Sequence, residues 1–68
     1  MDNLKKAAET IIAGHSIIEA ELAEVESSGS FKYARSKNIR KAAMDIMKAC
    51  KELRVSALAE YKSQKNNQ

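Results

Sequence analysis

Only one stretch of this chain is built to stop a helix. Ser27-Ser28-Gly29-Ser30 is its single cluster of turn-forming residues, and no proline occurs anywhere in the 68 residues. On either side, apolar residues recur at alternating steps of four and three, the spacing of one helix face. Before the loop the run is Leu4, Ala8, Ile11, His15, Ile18, Leu22 and Val25. After it the run is Ile39, Ala43, Ile46, Cys50, Leu53 and Ala57. Two long helices joined by a short loop fold back on one another. The expected fold is all-α, an antiparallel two-helix hairpin forming one domain over residues 1–68. The first helix is expected over about 3–27, the loop at about 28–30, the second helix over about 31–62 and a frayed polar tail at 63–68. Asp2 is placed to cap the first helix and Ser30 the second. Gly29 suits the left-handed position after a helix end.

A chain this short removes only about 60% of its unfolded surface from water. Small domains make up the deficit with disulfides, a metal or a second copy. One cysteine cannot close a disulfide within the chain, and one histidine with one cysteine makes a poor metal site. The expectation is a homodimer in which two hairpins form a four-helix bundle, with no metal and no cofactor. Its contact residues are expected to be Leu4, Ile11, His15, Ile18 and Leu22 on the first helix, with Ile39, Ala43, Ile46, Cys50 and Leu53 on the second. Ala42, Ala43, Ala49, Cys50, Ser56 and Ala57 are small and permit close helix approach. No apolar run reaches the length of a signal-peptide core or a membrane span. With a lone free thiol, this points to the cytoplasm of a bacterium or of a phage host.

The residues able to do chemistry are few. His15 lies in the apolar run, and only Glu19, four residues on, is spaced to join it; across the hairpin the small Ala43 leaves room for an imidazole. Cys50 lies in the second run, where a thiol behaves as a small hydrophobe. No glycine-rich phosphate loop, carboxylate pair or Ser–His–Asp set is present. The chain is not expected to be an enzyme.

Charge is divided unevenly. Residues 1–31 carry two lysines against six acids, a net −4, whereas residues 32–68 carry ten Lys or Arg against three acids, a net +7. Such asymmetry means internal pairing or a polyanionic partner. Folding about Gly29 sets Glu19–Glu26 opposite Lys32, Arg35, Lys37, Arg40 and Lys41, so part of the basic charge is expected to be neutralised within the chain. Lys37, Lys41, Lys48 and Lys51 lie close together away from the apolar run, and Arg40 and Arg54 flank it. These six are the candidate phosphate contacts. Lysines at these spacings can follow a nucleic-acid backbone without reading bases. Phe31, Tyr33 and Tyr61 lie near the helix ends and offer no evident stacking platform. Met44, Val55 and Leu58 lie off the main apolar run and could serve a protein partner instead.

The second helix resembles the small bacterial and phage histone-like proteins of the chlamydial linker-histone-like type. The resemblance covers about residues 29–58 and rests on Gly29, Lys32, Arg40, Lys41, Ile46, Lys48, Lys51, Glu52, Leu53 and Arg54. Asn38 stands where that family has a further arginine, and only Lys62 and Lys65 stand in place of its long Lys/Ala-rich tail. The resemblance implies non-specific DNA binding by a nucleoid-associated protein. Length and layout also resemble the helical-hairpin dimers of plasmid copy control, which bind RNA. The alternative expectations are therefore a helical-hairpin protein-interaction module or an RNA-binding hairpin dimer of bacterial or phage origin.

Overall fold

The computed structural model describes residues 1–66. Its two elements are α1, Asp2–Ser28, and α2, Tyr33–Asn66. They pack antiparallel into a rod 57 × 15 × 12 Å. Gly29 ends α1 in the left-handed region, at φ 70° and ψ 15°, and its N–H donates to the Val25 carbonyl at 2.8 Å. Such a φ is costly for any residue with a Cβ.

The ends differ in detail from the sequence expectation. Asp2 lies inside the first turn, and Met1 takes the cap position without a side-chain bond. A carboxylate in the first turn still meets the positive end of the helix dipole. Ser30 does not cap α2. Its N–H donates to the Ser28 hydroxyl at 3.3 Å, so it belongs to the loop. The loop runs on through Phe31 and Lys32, and the Lys32 carbonyl accepts the first α2 bonds, from the Arg35 and Ser36 N–H groups at 3.1 and 3.2 Å. At the other end α2 continues through the stretch expected to fray, as far as Asn66. The remainder of that expected tail, residues 67–68, lies outside the described residues.

The packing seam is turned from the one the spacing suggests. Leu4, Ile11, Ile18 and Val25 of α1 and Ile39, Ile46 and Leu53 of α2 are half-buried between the helices, as expected. Of the positions expected to alternate with them, Ala8 and Ala43 are half-buried, but His15, Leu22, Cys50 and Ala57 are exposed. The deepest positions are instead Ala7 and Gly14 on α1 and Ala42 and Ala49 on α2, continued by the half-buried Glu21 and Ser56. Each helix has thereby rotated by about 50°, half of one residue step. Ala7, Gly14, Ala42 and Ala49 are the buried residues of the hairpin. Small residues favour this setting, because they let the backbones come close, which gains dispersion contacts along the whole length.

Gly14 shows how close the approach is. A Cβ built on it would stand 2.6 Å from Ile46 Cγ1, 2.9 Å from Ile46 Cδ1 and 3.4 Å from the Ala42 carbonyl oxygen. Isoleucine is stiff at χ1 in a helix, so it yields poorly. Alanine in place of a helical glycine ordinarily stabilises by about 1 kcal/mol. Here the overpacking, about 1–3 kcal/mol, opposes it. Gly14→Ala is expected to destabilise wild type yet to stabilise an Ile46→Ala background, where the clashing atoms are gone. Denaturant melts of the four-member cycle read this reversal of sign, and the same sign in both backgrounds contradicts the packing described.

A single hairpin hides little. No large side chain is fully buried among the described residues, and the accessible surface is 5612 Å². A compact monomer of 7.5 kDa would expose about 4,200 Å². The excess follows from the rod shape and from Ile12, Leu22, Met44, Met47, Val55 and Leu58, all exposed.

Candidate nucleic-acid interface

The basic character of α2 is arranged by its own periodicity. Lys37, Arg40, Lys41, Lys48, Lys51 and Arg54 are all exposed. Helical spacing sets them on the half of α2 turned away from α1. They span 18 residues, about 25 Å of helix. The acids of α2 lie elsewhere. Asp45 and Glu52 border clefts beside α1, and Glu60 is drawn to the N-terminal amine of Met1 at 3.4 Å. Among the described residues no cation of the outward stripe is paired with a carboxylate, although Asp45 shares a cleft with Lys41, and Glu52 shares one with Lys48 and Lys51.

The internal neutralisation expected for this region is largely missing. Arg35 alone among the five expected cations pairs with α1, reaching Glu21 at 3.1 Å and Glu24 at 3.5 Å. Arg35 and Glu21 are both partly buried at the loop end of the seam, which explains why a glutamate is tolerated there. Lys32, Lys37, Arg40 and Lys41 make no ion pair among the described residues. The reason is angular: two helices that meet along one narrow face turn their backs, and the charges on them, apart. Glu19 instead bonds His15 on its own helix at 2.6 Å. Arg40 lies over the Tyr33 ring, 5.7 Å from its centroid, within cation–π range.

One further cation joins the stripe through the fold. A shallow cleft of about 600 Å³ between the helices is lined by Lys6 of α1 and by Lys48, Lys51 and Glu52 of α2. Sequence spacing missed Lys6, because only the hairpin register brings it beside α2. The three lysines against one acid leave the cleft net positive.

The other singled-out residues take surface positions. The His15 side chain is 68% exposed, and Cys50 is an exposed free thiol. Neither sits in the seam where periodicity placed it. No group of three or more His, Cys, Asp or Glu suited to a metal occurs among the described residues. No helix among them is long and apolar enough to cross a membrane. Tyr33 and Tyr61 are exposed but lie 28 residues apart, about 42 Å along α2, too far to stack neighbouring bases. Met44, Val55 and Leu58 are exposed among the cations. Comparison with protein-family models, with characterised proteins and with solved structures finds no match to this chain.

Proposed function

We propose that this chain is a non-specific DNA-binding, histone-like helical hairpin that acts as a homodimer, a four-helix bundle, in the cytoplasm or nucleoid of a bacterium or phage-infected cell. The observation behind it is the outward stripe of α2. Lys37, Arg40, Lys41, Lys48, Lys51 and Arg54 line it, and none of them is paired with a carboxylate among the described residues. Unpaired surface cations at these spacings neutralise phosphates and release condensed counterions, which drives sequence-independent binding. The stripe offers no amide or carboxylate set for base edges, so backbone contact is its chemistry. No catalytic step is assigned to it.

Fluorescence anisotropy with two duplexes of unrelated sequence, at ~20 mM salt where attraction is least screened, tests the reading. Both are expected to bind with the same affinity, weakening to micromolar or worse at physiological salt. No binding at ~20 mM salt overturns it. A second reading rests on Met44, Val55 and Leu58, exposed on the same helix. They would suit a protein partner, whose binding would survive added salt.

A further inference from the structure

The hairpin has two broad sides, and they differ. On one, clefts are lined by Asn3 and Lys6 with Lys48 and Glu52, and by Ile17 with Asn38 and Asp45. Helical spacing assigns Ala8, Ile12, His15, Glu19 and Leu22 of α1 to the opposite side. The matching positions of α2 are Arg40, Ala43, Met47, Cys50 and Arg54. This opposite side contains the half of each apolar run that the hairpin leaves unused. Ile12 is 65% and Met47 71% exposed there, far above what a core position shows.

The register fixes which residues stand level across it. Gly14 meets Ala42 and Ile46, Glu21 meets Arg35, and Met1 meets Glu60. Ile12 therefore stands level with Met47, His15 with Ala43, Ala8 with Cys50, and Glu19 with Arg40.

Resting on the dimeric reading above, we propose that a second copy of this chain docks on this side, across a two-fold axis along the hairpin's length. Each α1 then lies on the α2 of the other copy, with both loops at the same end. Charge selects this arrangement. The acidic half of the chain, net −4, is set on the basic half, net +7, instead of like on like. A two-fold axis along the rod leaves every residue at its own height, so the pairs follow without adjustment. Ile12 meets Met47 of the second copy, the imidazole of His15 meets the small Ala43, and Glu19 meets Arg40. Lys5 and Arg54 are the one like-charged pair, at the open end, where salt screens them. The face is 57 Å long and 15 Å wide. This outline is of the same order as the ~800 Å² per partner of a stable interface. Lys37, Lys41, Lys48 and Lys51 stay outside, with Arg54 still reachable at the open end, giving a basic stripe of five cations on each flank of the bundle, while Arg40 passes from the stripe into the contact with Glu19.

The test uses two variants in a Cys50→Ser background, one with Ile12→Cys and one with Met47→Cys. Wild type is first sedimented at micromolar concentration, where a mass of twice the 7.5 kDa chain is expected. The two variants are then mixed and mildly oxidised. The expected product is the mixed disulfide dimer, with each variant alone remaining unlinked. Links between identical variants indicate the opposite end-to-end arrangement and overturn the proposal, as does a monomeric wild type or a dimer that gives no mixed link. Anisotropy on wild type reads DNA binding separately, so loss of one reading leaves the other standing.

Discussion

Changing Lys48, Lys51 and Arg54 together to glutamate is expected to abolish DNA binding while leaving the helices intact. The three side chains are exposed on the half of α2 turned from α1, and none is paired with a carboxylate among the described residues. Reversal removes three phosphate contacts and adds three repulsions, so affinity at ~20 mM salt should fall at least about hundredfold. Far-UV circular dichroism should match wild type, because surface changes away from packing usually move stability by about 0.5 kcal/mol or less each. Lys32→Glu, at an exposed loop lysine, is the control. It changes net charge as much as Lys51→Glu alone but lies off the stripe, so it should weaken binding far less. Equal losses from these two single changes would mean that total charge matters and the stripe does not.

Ile46→Asp is expected to unfold the protein. Ile46 is half-buried and rests on Gly14, with its outer carbons where a Cβ would otherwise be. Truncating such a residue to alanine costs about 2–5 kcal/mol where burial is complete. A carboxylate facing a backbone without a cation beside it adds a desolvation cost. Total stability for a chain of this length is only about 3–10 kcal/mol, so the loss takes most of it. Ile12→Asp makes the comparison. Ile12 lies outside the hairpin seam, so this variant should keep a folded hairpin and lose the second copy. Thermal melts by circular dichroism, with sedimentation alongside, separate the two outcomes. A cooperative melt of Ile46→Asp near that of wild type would contradict the seam.

The two helices, their antiparallel arrangement and the loop at Gly29 were legible because each depends on local chemistry. A four-and-three spacing needs no partner to be recognised, and a left-handed glycine follows directly from the end of an apolar run. The exact seam was not legible in the same way. The apolar run is wide enough for two neighbouring settings, and Leu4, Ile11, Ile18, Ile39 and Ile46 belong to both. The choice between them turned on Gly14, which has no side chain to register as apolar. Its role exists only through Ile46, 32 residues away. His15 and Cys50 were assigned to the losing setting for the same reason.

The basic stripe was legible because all six members sit on one helix. Its electrostatic surroundings were not. Opposition in the folded chain suggested that Glu19–Glu26 would neutralise part of the charge on Lys32, Arg35, Lys37, Arg40 and Lys41, yet opposition along the axis says nothing about angle around it. Only Arg35 lies at the right angle, beside Glu21 and Glu24. Lys6 escaped notice for the converse reason: it is distant in sequence from Lys48 and Lys51, and the register brings it to their cleft.

The salt dependence of duplex binding tests the central claim most directly. If the five cations that stay outside in the dimer each displace about one condensed counterion, log K should fall linearly with log salt, with a slope of about −4 to −5. That slope should be the same for duplexes of unrelated sequence and should drop by about 3 when Lys48, Lys51 and Arg54 are replaced by alanine. A slope near zero, or one that the triple replacement leaves unchanged, would contradict binding through the outward face of α2.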